Sequence, residues 1–329
     1  MVAFGFKLLF ALAALSSAFA HPIREARDIR IVGRSTSAVV RRQDGSEFAA
    51  IVEGNNAFRA SDPALLQKLA DEGQEPPFMF LGCSDSRVSE GTVFGAKPGT
   101  FFTQRNIANQ YQPTDPNSQS VLAYAVSELG VKHIIVMGHY GCGGVAASIA
   151  SPPGSNVDAA NSAVQAWINP IRELLQQSSR PEIVALRESI KGSTTVEEPD
   201  IKDPGFRALV EENVKVGVGR IAQDSVIVNH YALLAANSTG TVERRSGEGG
   251  PAGDVFIHGW VYDIENGEVR DLGVSVGPPG KAIPAAPFAA VASAAEKASA
   301  AHQAPAAQNV EVRCAEMCKS KRNFLPQDH

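Results

Sequence analysis

The chain is 329 residues long, 44% hydrophobic and 20% charged, with a formal charge of −5 and a pI near 5.8. This composition suits one or two globular domains with an ample core and excludes general disorder. No basic stripe or aromatic-interleaved Lys/Arg patch is visible, which argues against nucleic-acid binding, and four cysteines are too few for a disulfide framework.

Met1 to Ala20 carries Lys7, an apolar run from Leu8 to Leu15 and the small-residue ending Ala18-Phe19-Ala20. This is the pattern of a secretory signal peptide cut before His21. Its apolar core is too short to span a bilayer and no later segment qualifies, so the expectation is a secreted protein with no membrane association. Residues 21–45 hold Arg24, Arg27, Arg30, Arg34, Arg41 and Arg42 without a sustained apolar period and read as a flexible arm, which the dibasic Arg41-Arg42 would make a pro-segment if cleaved. Apolar spacing from Phe48 to Leu69 is helical, with a helix start at Ser61-Asp62-Pro63. Asp71 to Pro77, including Gln74, is a loop feeding the first strand.

Phe78-Met79-Phe80-Leu81-Gly82 and Ile134-Ile135-Val136-Met137-Gly138 are short, nearly continuous apolar runs, each read as a strand buried on both faces. They lead into Cys83-Ser84-Asp85-Ser86-Arg87 and His139-Tyr140-Gly141-Cys142-Gly143-Gly144. Both groups therefore follow carboxyl ends of strands, where open α/β sheets place their ligands. Two thiolates and one imidazole are a donor set that Zn2+ favours, and three protein ligands leave one tetrahedral corner for water, as at a catalytic zinc. Asp85 and Arg87 can pair bidentately beside the ion. Cys83 and Cys142 taken alone would also suit a disulfide in a secreted chain.

Between the motifs, Phe101 to Thr103 reads as a short strand and Ser118 to Leu129 as a helix stopped by Gly130 and carrying Tyr124. After them come a helix beginning at Val145, a Pro/Gly/Ser-rich loop from Ser151 to Asp158, a helix from Ala159 to Gln177 and a polar excursion from Gly192 to Pro204. A helix from Phe206 to Ile221 leads to a strand from Ser225 to Tyr231, where His230 reads as a satisfied structural histidine rather than a ligand. Asn237-Ser238-Thr239 is an N-glycosylation sequon. Val255 to Tyr262, the turn Asn266-Gly267 and Glu268 to Val274 form a hairpin. From Gly277 the composition turns to Ala and Pro, a low-order tail over 277–329 that holds Cys314 and Cys318.

The pattern Cys-x-Asp-x-Arg followed by His-x-x-Cys, at Cys83, Asp85, Arg87, His139 and Cys142, resembles that of the β-class carbonic anhydrases. Arg105-Asn106-Ile107-Ala108-Asn109, Tyr124 and Phe256 to Tyr262 are similar to further segments of that family. The resemblance makes residues 46–276 the catalytic domain. It implies an α/β fold with a mainly parallel central sheet flanked by helices and an antiparallel edge hairpin. It implies one Zn2+ per subunit, held by Cys83, His139 and Cys142, and attack of zinc-bound hydroxide on CO2 to give bicarbonate, with Asp85 orienting the hydroxide and Arg87 holding Asp85. Gln74 and Tyr124 match substrate-binding positions of the open, plant-like subgroup, whereas Gly82 resembles the subgroup in which the aspartate closes onto zinc. A homodimer or assembly of dimers, with active sites near the subunit boundary, is implied as well. Carbonyl sulfide or carbon disulfide as substrate, or a secreted zinc-binding protein with a degenerate site, are the competing readings.

Overall fold

A computed structural model describes residues 46–154, 158–238 and 253–291, with side chains from 48 and to 236 on the flanks of the two longer gaps. The expected signal peptide, the arm with Arg41-Arg42, the sequon side chains and the part of the tail beyond residue 291, with Cys314 and Cys318, lie outside the described residues. The chain divides into two units, Met1–Asp62 and Pro63–His329. The described part of the first is a single helix, α1 (Ser46–Ser61), whose Phe48, Ile51, Val52 and Phe58 are exposed. The helical spacing of 48–69 is thus split at Asp62.

The second unit opens with α2 (Pro63–Glu72), which has Pro63 in its first turn, and β1 (Phe78–Cys83). Next come a one-turn helix α3 (Glu90–Val93), β2 (Phe101–Asn106), α4 (Pro116–Ala123) and β3 (His133–His139). Helices α5 (Gly143–Ile149), α6 (Ala159–Gln177), α7 (Pro181–Ile190), α8 (Pro204–Gln223) and α9 (Ser225–Ser238) precede β4 (Phe256–Tyr262) and β5 (Val269–Asp271). The strands form one sheet in the order β2-β1-β3-β4-β5, in which the first four are parallel and β5 is antiparallel. The three inner parallel strands β1, β3 and β4 are buried along nearly their whole length, which is why β1 and β3 read as continuous apolar runs rather than alternating ones, whereas β2 at the sheet edge is mostly half-buried.

One face of the sheet packs Met79, Leu81, Ile134, Val136 and Ile257 against Val214, Val218 and Ile221 of α8. Gly138 marks the closest approach: a Cβ there would lie 2.6 Å from Val214 Cγ2. The opposite face gathers Phe80, Ile135, Met137 and Trp260, with Phe78, Phe94, Phe101 and Phe288 around them. Fully burying one such side chain contributes about 1.5–3 kcal/mol.

Several elements differ from the sequence-based expectation. The stretch Ser225 to Tyr231 is not a strand but the start of α9. Asp224 caps it, its carboxylate accepting from Val226 N at 2.9 Å and its carbonyl from Val228 N at 2.9 Å, which overrides the β-branched run Val226-Ile227-Val228. His230 lies on that helix and shares a hydrogen bond with the Gly253 carbonyl at 2.8 Å. The helix expected over Ser118–Leu129 widens at Tyr124–Glu128 into a π-helical turn. Asn266-Gly267 sits inside a longer loop, where Gly267 adopts φ 79°, and β5 is only three residues long. The Ala/Pro-rich segment remains packed beyond Gly277: Asp271 N donates to Ala289 O, Val291 N donates to Asp271 O, and the Phe288 ring meets Trp260 edge-on at 5.0 Å. Alternating backbone pairing and one aromatic anchor hold this stretch despite its composition.

Candidate metal centre

Parallel pairing of β1 with β3, in register from Phe78↔His133 to Gly82↔Met137, brings the two ligand-bearing strand ends side by side. Cys83 ends β1, His139 ends β3, and Gly141 turns the chain at φ 70° so that Cys142 can return to the same spot as the residue before α5. Gly141 also has no room for a side chain, since a Cβ would lie 2.6 Å from Ile201 Cδ1 and 3.1 Å from Ile264 Cδ1. The excursion over residues 192–204 thus closes onto the metal loop through Ile201.

The ligand atoms of Cys83, His139 and Cys142 all lie within 4.8 Å of one another, and the three residues are 5%, 1% and 1% exposed. The two sulfurs are 3.9 Å apart and neither cysteine is bonded, so the disulfide alternative is wrong. A disulfide requires about 2.05 Å, whereas two thiolates about 2.3 Å from one tetrahedral zinc stand about 3.8 Å apart. His139 Nδ1 hydrogen-bonds the Tyr140 carbonyl at 3.0 Å, which places the proton on Nδ1 and a lone pair on Nε2. That Nε2 is buried and has no hydrogen-bond partner among the described residues. A buried orphan acceptor beside two buried sulfurs is what a divalent cation would satisfy.

The hydrogen bond between the two sulfurs, aided by His139, lowers the Cys83 thiol from 9.0 to about 4, while the same bond, burial and the neighbouring sulfur's charge push Cys142 well above its ordinary value. Two buried sulfurs this close disfavour two thiolate charges side by side, and a divalent cation between them would favour deprotonation of both.

Asp85 stands over the cluster, with Oδ2 3.7 Å from His139 Nε2. Arg87 grips it through Nε to Oδ1 at 3.0 Å, Nη2 to Oδ2 at 2.7 Å and its own backbone N to Oδ1 at 2.9 Å. These hydrogen bonds from Arg87 hold the carboxyl down from 3.8 to about 2. Arg87 Nη2 also donates to the Gly141 carbonyl at 3.2 Å, tying the two motifs together. Both carboxylate oxygens are thus engaged by the guanidinium.

The sequence did not single out a role for Arg105, whose Nε donates to Cys83 O at 2.8 Å and Nη2 to Asp85 O at 2.6 Å. It fixes the backbone between ligand and carboxylate from the neighbouring strand β2. After it, Ala108 and Asn109 take positive φ of 60° and 43°, a strained turn of the sort found at functional sites. Trp167 Nε1 to Ile107 O and Asn213 Nδ2 to Ala108 O, both 2.8 Å, clamp it.

The chain does not carry Gln74 or Tyr124 to its own cluster. Gln74 is exposed in the loop entering β1 at its amino end, across the strand's length from Cys83. Tyr124 is 49% exposed and stacks on Phe102 at 5.6 Å. Phe102 pairs with Met79 whereas Asn106 pairs with Cys83, so four residues, about 13 Å of strand, separate Tyr124's anchor from the metal ligands.

A sequence profile described as carbonic anhydrase matches residues 78–269. A carbonic anhydrase of Emericella nidulans is 33% identical over 230 residues, 68% of this chain and 82% of that protein. One solved β-carbonic anhydrase of Aspergillus fumigatus aligns with a TM-score of 0.52 at 32% identity, over 73% of this chain and 93% of the other. One from Sordaria macrospora, described as tetrameric, gives 0.51 at 28% identity, over 70% and 98%. The profile spans more than half of the chain, the folds agree, and the Cys–His–Cys cluster with its Asp–Arg pair falls inside the matched region: the chain belongs to the carbonic anhydrase family, β class, and is an enzyme of that activity.

Proposed function

We propose that this carbonic anhydrase converts CO2 to bicarbonate reversibly with one Zn2+ held by Cys83, His139 and Cys142. The orphaned Nε2 of His139 facing two sulfurs 3.9 Å apart carries the reading. Held by Cys83, His139 and Cys142, Zn2+ would supply Lewis acidity, lowering the pKa of water from about 15.7 to about 7. The residues do the rest. Asp85, ionised and immobilised by Arg87, is an acceptor that fixes the direction of the reacting oxygen's proton and so aims its lone pair at the carbon. Arg105 keeps the Cys83 and Asp85 carbonyls in place, and the near-complete burial of the ligands excludes competing solvent on the protein side.

Gln74 and Tyr124, remote from their own cluster, would reach substrate across a subunit boundary in a dimer or an assembly of dimers. Mixing a Cys142→Ser chain with a Tyr124→Ala chain tests this, because activity recovered on mixing requires sites shared between chains. The Met1–Ala20 pattern supports secretion, and the sequon supports glycosylation; amino-terminal sequencing of protein recovered from culture medium tests the first. No helix among the described residues is long and apolar enough to cross a membrane.

Metal analysis combined with a stopped-flow CO2-hydration assay tests the central reading. Stoichiometric zinc and loss of activity on chelation, restored by adding zinc, are expected. Full activity after verified zinc removal overturns it.

A further inference from the structure

Tyr140 lies between His139 and Cys142 in sequence, yet its side chain runs into the helical layer and is 3% exposed. It is held at four points. Its N–H donates to Tyr262 O at 3.0 Å, its hydroxyl donates to Glu211 Oε1 at 2.6 Å, the Arg207 guanidinium lies 3.4 Å over its ring, and its carbonyl takes His139 Nδ1 at 3.0 Å. Arg207 is itself braced by Asp263 at 2.7 Å. Glu211, 3% exposed on α8, gives its second oxygen to Arg180 Nη2 at 2.7 Å, and Arg180 continues to Glu182 and Glu212 at 3.2 Å each. Stability alone is a weak reason to keep such a buried carboxylate, since apolar residues of similar volume hold a core as well.

We propose that Tyr140, Glu211 and Arg180 are positioning residues for the metal centre, fixing the peptide carbonyl that takes the Nδ1 proton of His139 and with it the ring rotation that presents Nε2 to the cation. Side chain and carbonyl belong to one residue, so anchoring the hydroxyl and the ring leaves the carbonyl little freedom to turn. The neighbour of a metal-ligating histidine sets the ligand's tautomer and basicity, and losing it typically weakens metal affinity roughly 10–100-fold. The inference rests on the zinc reading above and extends it to residues that cannot touch substrate.

The full-length chain is loaded with Co2+ for absorption spectra and with Zn2+ for competition against a chromophoric chelator. Tyr140→Phe, which keeps the ring under Arg207 and the carbonyl and deletes only the hydroxyl, is expected to bind zinc up to roughly 10-fold more weakly, the low end of that range, and to shift the visible cobalt bands. Glu211→Gln retains an oxygen for the Tyr140 hydroxyl and is expected to restore most of the affinity that Glu211→Leu loses. Should Tyr140→Phe fail to fold, Arg180→Gln at the far, more exposed end of the chain carries the same test with a smaller expected loss. Folded variants with wild-type zinc affinity and unchanged cobalt spectra overturn the positioning role, leaving the network a stabiliser only. Absence of a thiolate-to-cobalt band in the wild type would instead sink the metal reading itself, so the two failures are distinguishable.

Discussion

Replacing Asp85 by Asn separates the proposed reaction geometry from the stability of the fold. Asp85 accepts three hydrogen bonds from Arg87, at 2.9, 3.0 and 2.7 Å. An amide has a single acceptor oxygen, so with that oxygen kept on the Oδ1 side its NH2 would face Arg87 Nη2, donor against donor. Arg87 is 55% exposed, and solvent screening limits the lost pair to about 1 kcal/mol. In a domain of this size that lowers Tm by about 2–4 °C. The effect on turnover is of another order. Losing a preorganised group aimed at the reacting oxygen lowers kcat about 10²–10³-fold, or about 3–4 kcal/mol in the barrier. None of the three zinc ligands changes, so metal content should hold. Stopped-flow hydration, metal analysis and thermal unfolding on one preparation check the three expectations together. Normal turnover with zinc retained would refute the orienting role of Asp85.

Cys142→Ser should release zinc, because a hydroxyl replaces a thiolate at a 1% exposed ligand; stoichiometric zinc in that variant would remove Cys142 from the ligand set. Gly138→Ala should destabilise by about 1–3 kcal/mol through overpacking against Val214, and Val214→Ala should recover part of that loss in a double-mutant cycle read by denaturant unfolding. Strict additivity of the two changes would argue against the contact. His258, hydrogen-bonded to His133 and Ser275 at 3.0 Å each, is pulled from 6.5 to about 4, by burial first and His133 second. The folded state therefore prefers the neutral ring, and the unfolded chain takes up the proton first. That preference contributes fully above pH 6.5 and is lost as pH falls from 6.5 to about 4, removing up to about 3 kcal/mol. Thermal unfolding of His258→Gln should depend less steeply on pH across that window than the wild type, and parallel curves would count against it.

The metal cluster was legible because its signals are local: two apolar runs end at ligands, and strands buried on both faces can only be neighbours or near neighbours in a parallel sheet. The Asp85–Arg87 pair was legible for the same reason, being two residues apart. Arg105 and Glu211 were not, since their partners at Cys83, Asp85 and Tyr140 are reached only once β2 and α8 have docked. The error at Ser225 came from reading Val226-Ile227-Val228 by propensity while overlooking Asp224 as a cap. Helix α7 also went unread, although Pro181 at its start and Ile183, Leu186 and Ile190 along one side supply the usual pattern. The positions of Gln74 and Tyr124 show a different limit, because spacing along a chain does not reveal which residues the fold brings together.

The residues of the Cys–His–Cys cluster come from stretches 59 residues apart at their extremes, brought together chiefly by the adjacency of β1 and β3. A nascent chain that has emerged only as far as the first of these strands therefore presents a solitary sulfur, open to alkylating reagents and to oxidation. Any cation uptake would have to await the pairing of distant strands, a slow class of folding event. Loading with metal would then report that the sheet has assembled.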